Sequence, residues 1–119
     1  MPVEHIIDSQ RRLVVVRFGK KLTVRDVERY AAMLRANPLF RTTFSEIADL
    51  TQVKEIDLQA DEFLRLADKI DPFSTEAKRA FVAQSSIQSH AARMHKILRT
   101  QRNIEIFRTL KEAERWIEK

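Results

Sequence analysis

The chain has 119 residues, the length of one domain, and a formal charge of +5, too small an excess to imply nucleic-acid binding unless the cations cluster. It contains no cysteine, which excludes disulfides, thiolate metal sites and a cysteine nucleophile and is compatible with a reducing cytosol. No apolar run reaches the roughly 18 residues of a membrane span, and residues 1–12 lack a signal peptide's apolar stretch, so one cytoplasmic domain over residues 1–119 is expected.

Residues 3–7 and 13–18 are short and rich in β-branched side chains, and Asp8, Ser9, Gln10 and Arg11 between them suit a tight reversal. They predict a β-hairpin. Gly19 follows the second run and offers the positive φ that lets a chain leave a strand sharply. Thr23 is placed to cap a helix in which Val24, Val27, Ala31 and Leu34 form one stripe, and Asn37-Pro38 ends it. Residues 44–50 predict a third strand. Asp57 is placed to cap a second helix with Phe63, Leu66, Ala67 and Ile70 on its buried side, stopped by Asp71-Pro72.

Residues 79–83 predict a short apolar strand, and Ser85 or Ser86 caps the helix that follows. On that helix Ile87, Ala91, Met94 and Leu98 share one face, while His90, Arg93, Lys96 and Arg99 occupy another. Residues 104–107 form the last strand, and Thr109 with Glu112 matches the capping box of a final helix through Leu110, Ala113 and Ile117, with Trp116 beside that stripe. The order β-β-α-β-α-β-α-β-α favours an α/β fold: a mixed, mostly parallel five-stranded sheet with four helices, its exception the opening antiparallel hairpin.

The order of elements, together with Ile47-Ala48-Asp49-Leu50-Thr51-Gln52-Val53-Lys54-Glu55-Ile56-Asp57, resembles the STAS superfamily of anti-sigma-factor antagonists. The SpoIIAA-like branch is similar in Ala91-Ala92-Arg93-Met94 and in the closing Phe107-Arg108-Thr109-Leu110-Lys111-Glu112-Ala113-Glu114-Arg115-Trp116-Ile117. In that superfamily the residues matching Ile56, Asp57, Leu58, Gln59 and Ala60 read Ile-Asp-Ser-Ser-Gly, and a partner kinase phosphorylates a serine there. The resemblance implies a regulatory domain, yet Leu58 and Gln59 carry no hydroxyl, so that switch cannot operate at this position. Ser85 and Ser86 are the alternative hydroxyls at a helix start.

No catalytic constellation emerges from the residues, and neither a metal nor a cofactor is expected. His90 and His95 are five apart, which places their rings about 140° apart on a helix, whereas a metal pair needs a spacing of three or four. Adjacent acids such as Asp61 and Glu62 diverge on a helix, and a single glycine excludes a glycine-rich phosphate loop. Phe40, Phe44 and Phe73 fall in connections, where they either fold over the core or line a partner or ligand groove.

Charge is uneven: residues 42–76 carry nine acids and three bases, whereas residues 77–104 carry Lys78, Arg79, Arg93, Lys96, Arg99 and Arg102 and no acid. The basic helix lacks interleaved exposed aromatics and a reading module, which disfavours nucleic acid and favours an acidic protein surface. The leading expectation is therefore a non-enzymatic interaction or regulatory module, with an unknown protein partner or through self-association. The alternative is a small-ligand or lipid-binding domain with a pocket at the carboxyl edge of the sheet, where Thr51, Asp57, Gln59, Ser85, Ser86 and Arg93 converge.

Overall fold

A computed structural model describes residues 3–119. The opening hairpin joins β1 (Glu4–Asp8) to β2 (Leu13–Arg17) in antiparallel register, and β4 (Ser45–Asp49), β6 (Arg79–Val82) and β7 (Ile104–Phe107) extend the sheet in parallel, in the order β1-β2-β4-β6-β7. Each parallel connection contains a helix: α1 (Val24–Ala36), α2 (Ala60–Arg65) with its continuation, and α3 (Ser86–Arg99), and α4 (Leu110–Glu118) closes the chain. The mixed five-stranded sheet and the four helices are those that the sequence predicts.

Alternation along the strands divides the core in two. One face carries Val14, Val16, Ala48, Phe81 and Ile104 and packs with Tyr30 and Leu34 of α1 and Ala92 of α3. The other carries Leu13, Ile47, Ala80 and Val82 and is covered by Ala113, Trp116 and Ile117 of α4. The loop phenylalanines Phe40, Phe44 and Phe73 fold inward and are buried, stacked edge to face with Phe40 in the middle, so they close the core instead of lining an open groove.

Local chemistry explains the helix starts. Thr23, Ser85 and Thr109 each accept a hydrogen bond from the third backbone N–H of the helix they open, and Asn37 ends α1 in extended conformation before Pro38. The second helix departs from expectation. Asp57 does not cap it but ends a three-residue strand, β5 (Glu55–Asp57), which pairs in parallel with β3 (Lys21–Thr23) in a separate small sheet. Gln59 is the capping residue, and the Glu62 side chain accepts its backbone N–H. The buried stripe Phe63, Leu66, Ala67 and Ile70 is as predicted, but residues Leu66–Ile70 wind as a π-helix.

Gly19 does not take positive φ; Arg12 in the hairpin (φ 55°) and Thr100 after α3 (φ 51°) do. A three-residue link, residues 18–20, carries the chain from β2 into β3 with no left-handed residue. Thr100 is β-branched and holds a left-handed conformation that glycine adopts without steric cost. Thr100→Gly is expected to raise the unfolding free energy by up to about 1 kcal/mol, read as a higher urea midpoint with unchanged slope.

Candidate functional site

Between the inner sheet face and α1, α2 and α3 lies a buried cluster of charged groups. Glu46 and Arg79 are register partners on β4 and β6, and their alternation phase is that of Ala48 and Phe81, so both point into the core. Arg79 donates to Glu46 Oε1 from Nε at 2.9 Å, with Nη2 at 2.8 Å from the same oxygen, and its Nη1 lies 2.9 Å from Asp71 Oδ2. Tyr30 Oη donates to Glu46 Oε2 at 2.6 Å, and His95 Nε2 to Asp71 Oδ2 at 2.6 Å. The Arg79 guanidinium also stacks 4.4 Å from the centre of the Phe73 ring. Arg99 completes the cluster, 3.5 Å from Asp71 Oδ2, and donates to the carbonyls of Ala67 and Phe73. The π turn frees the Ala67 carbonyl for this use.

The environment sets the protonation of these groups. Burial pushes the Asp71 carboxyl upward, but Arg79, the His95 hydrogen bond and Arg99 outweigh it and hold Asp71 well below the ordinary carboxylate range. Burial works against the Arg79 charge too, yet Glu46 and Asp71 raise its pKa further. Burial and then the Glu46 charge raise Tyr30, and burial foremost lowers Arg99. Because folding depresses the Asp71 pKa, the unfolded chain binds that proton more readily, and acid favours unfolding. The Asp71 contribution is complete above the ordinary carboxyl value of about 4 and is lost as pH falls through the lowered folded value. Urea midpoints should therefore fall between about pH 4 and pH 2, and Asp71→Asn should flatten that fall; equal slopes in both proteins contradict this role.

Beside the cluster is a cavity of about 80 Å³. Its wall is mostly apolar, with Phe18, Leu22, Leu50, Leu58, Phe63 and Leu66, and it meets the ion cluster at Glu46, Asp71, Arg79 and His95. Phe18 and Leu50 stand just beyond the carboxyl ends of β2 and β4, and the cavity runs from there along the sheet face to Glu46 and Arg79.

The six residues expected at the carboxyl edge sit outside this cavity. Thr51 turns the chain after β4, its N–H and Oγ1 both donating to Asp49 Oδ1. Ser85 caps α3, and Gln88 joins the two: its Oε1 accepts from the N–H groups of Gln84 and Ser85, and its Nε2 donates to the carbonyls of Thr51 and Val53. Thr51 and Ser85 thus share one braced edge, and Ser86 lies exposed beside them. Asp57 is exposed, with its Oδ2 3.8 Å from Lys21 Nζ, Gln59 opens α2, and Arg93 is exposed on α3.

The buried face of α3 differs from the expected one. Gln88, Ala91 and Ala92 are buried and His95 and Arg99 turn inward, whereas Ile87 is 40% exposed. The ion cluster draws the helix round, and it removes Arg99 from the basic surface. His90 stays outside, so the two histidines point apart. Among the described residues no group of three His, Asp or Glu side chains is placed to hold a metal, and no helix is long and apolar enough to cross a membrane.

The uneven charge map is therefore partly satisfied within the molecule, since Glu46 and Asp71 of the acidic segment pair with Arg79 and Arg99 of the basic one. Tyr30, Glu46, Asp71, Arg79 and His95 do not stand out in the sequence as a unit. The available signal was a charged residue in phase with core positions on each of two strands.

No protein-family model matches the sequence, and no curated protein matches it. Solved structures do. An uncharacterized protein of the DUF3478 family with a SpoIIAA-like fold, from Shewanella loihica PV-4, superposes with a TM-score of 0.67 at 20% identity, over 98% of this chain and 93% of that one. The fold is SpoIIAA-like. An anti-sigma factor antagonist from Mycobacterium paratuberculosis also superposes, with a TM-score of 0.65 at 14% identity over 98% of this chain and 95% of that one. At these identities the likeness to SpoIIAA-like structures concerns architecture, and any activity has to be argued from the side chains.

Proposed function

We propose that this SpoIIAA-like domain is a non-enzymatic interaction module that docks a protein partner, or a second copy of itself, through the carboxyl edge of its sheet. The observation that carries this reading is the edge built around Gln88. It fixes the Thr51 turn against the start of α3, so Thr51, Ser85 and Ser86 are held on a rigid surface, with Asp57, Gln59 and Arg93 on the neighbouring elements. Rigid presentation lowers the ordering cost of association. The solved anti-sigma factor antagonist supports a regulatory role by fold analogy alone.

At the start of α2, Leu58 or Gln59 stands where the resembling superfamily carries a phosphorylatable serine; neither has a hydroxyl, and Leu58 packs against the core. Ser85 Oγ already accepts the Gln88 N–H. On this reading docking needs no phosphate at the start of α2, and Ser85 and Ser86 remain the alternative hydroxyls beside the edge. Light scattering with affinity capture at physiological salt tests the reading, and a strict monomer that retains no partner contradicts it.

A second reading, a small-ligand or lipid-binding domain, is favoured by the cavity, whose wall includes Phe18, Leu50 and Leu58 at that same edge. A ligand that co-purifies in native mass spectrometry supports it.

A further inference from the structure

The cavity exists because alanines face one another across the interface between sheet and helices: Ala48 on β4, Ala31 on α1, and Ala91 and Ala92 on α3 all line it. Protein interiors ordinarily leave few voids larger than a water molecule. Water is a poor occupant here, since an ordered water needs two to four polar partners, and the carboxylates and guanidiniums beside the cavity are already committed to one another.

Glu46 Oε1 takes two contacts from Arg79 and its Oε2 takes the Tyr30 hydroxyl. Asp71 Oδ1 accepts the Phe73 N–H and its Oδ2 meets Arg79 and His95. No buried side-chain nitrogen or oxygen among the described residues lacks a partner. Two carboxylates, Glu46 and Asp71, face two guanidiniums, Arg79 and Arg99. An incoming charge finds no free carboxylate or guanidinium there, and burying it without a counter-charge is heavily disfavoured; the second ring nitrogen of His95, on the same wall, is the polar atom left open. Val27 and Leu58, both partly exposed, lie on the solvent side of the lining.

We propose that the cavity is a binding site for a small, uncharged, apolar molecule or alkyl group of a few carbons, admitted past Leu58 and held by Phe18, Leu50, Phe63 and Leu66. The proposal deepens the ligand-binding reading and rests on it. The size follows from the volume of about 80 Å³, roughly half that of an apolar cavity that takes benzene. The neutrality follows from the closed ion cluster.

The test titrates the full chain at pH 7 with three probes that share a four-carbon tail, 1-chlorobutane, butyrate and butylammonium, followed by amide NMR shifts. Saturable shifts around Leu58, Leu66 and Ala91 are expected with 1-chlorobutane, with both charged probes at least about tenfold weaker. Ala91→Leu, which fills the cavity, should abolish the response. Leu58→Trp, at the partly exposed mouth, makes the same test if the first variant does not fold. Charged probes that bind as well as the neutral one overturn the ligand class and leave the ligand reading standing. No saturable binding by any probe overturns both, and binding that survives both substitutions places the ligand elsewhere and overturns the site.

Discussion

Arg79→Met is expected to lower the unfolding free energy by about 3–5 kcal/mol, because removing one partner of a buried ion pair leaves the others charged and dry. Glu46 would keep only the Tyr30 hydroxyl, and Asp71 only His95, Arg99 and a backbone N–H. Against a typical domain stability of about 5–15 kcal/mol, that loss takes a large share of the total. Adding Glu46→Leu removes the worst orphan and should restore part of the loss, with a coupling of about 0.5–3 kcal/mol in a double-mutant cycle. Urea unfolding at pH 7 measures it. A cost below about 1 kcal/mol for Arg79→Met would show that the cluster is not closed in solution.

Gln88→Leu should cost about 2–4 kcal/mol, since each buried group left without a partner costs about 1–3 kcal/mol. The substitution strips the acceptor from the N–H groups of Gln84 and Ser85 and the donor from the carbonyls of Thr51 and Val53. Its local signature separates it from a general loss of stability. Amide hydrogen exchange should quicken first at residues 84–85 and 51–53, around the proposed docking edge, while β2 and β6 stay protected. Uniform acceleration across the sheet would contradict the bracing role.

What the sequence made legible was local or periodic. Thr23, one of the pair Ser85-Ser86, and Thr109 were recognisable as caps because a cap is decided by a side chain and a backbone N–H three residues apart. The strands on either side of α3 stood out by their apolar content. The small sheet of β3 and β5 was not legible, because each strand has three residues, two of them charged or polar, and their pairing joins residues 34 apart in the chain. The ion cluster was hidden for a related reason: Glu46, Asp71 and Arg79 come from separate elements, and each alone reads as a surface charge. Once that cluster forms, it turns His95 and Arg99 inward, and the buried face of α3 no longer follows the most apolar stripe.

The residues of the carboxyl edge illustrate the same limit. Thr51 and Ser85 are brought together, as the parallel topology implies, but through Gln88, whose spacing from Ser85 matches a capping box while nothing in the sequence marks the Thr51 and Val53 carbonyls that its amide nitrogen reaches. The cavity rests on alanines at positions 31, 48, 91 and 92, and a small residue becomes informative only when its neighbours across the interface are known.

The most direct test of docking through this edge compares three forms of the full chain in quantitative affinity capture at physiological salt: the wild type, Arg93→Glu on the exposed face of α3, and Arg115→Glu in the last turn of α4, at the opposite edge of the sheet. Docking through the carboxyl edge predicts a partner, or a second copy of the chain, that is retained by the wild type and by Arg115→Glu and is depleted at least about tenfold with Arg93→Glu, a difference of about 1.4 kcal/mol in binding. Equal retention by all three forms, or retention by none, would contradict it.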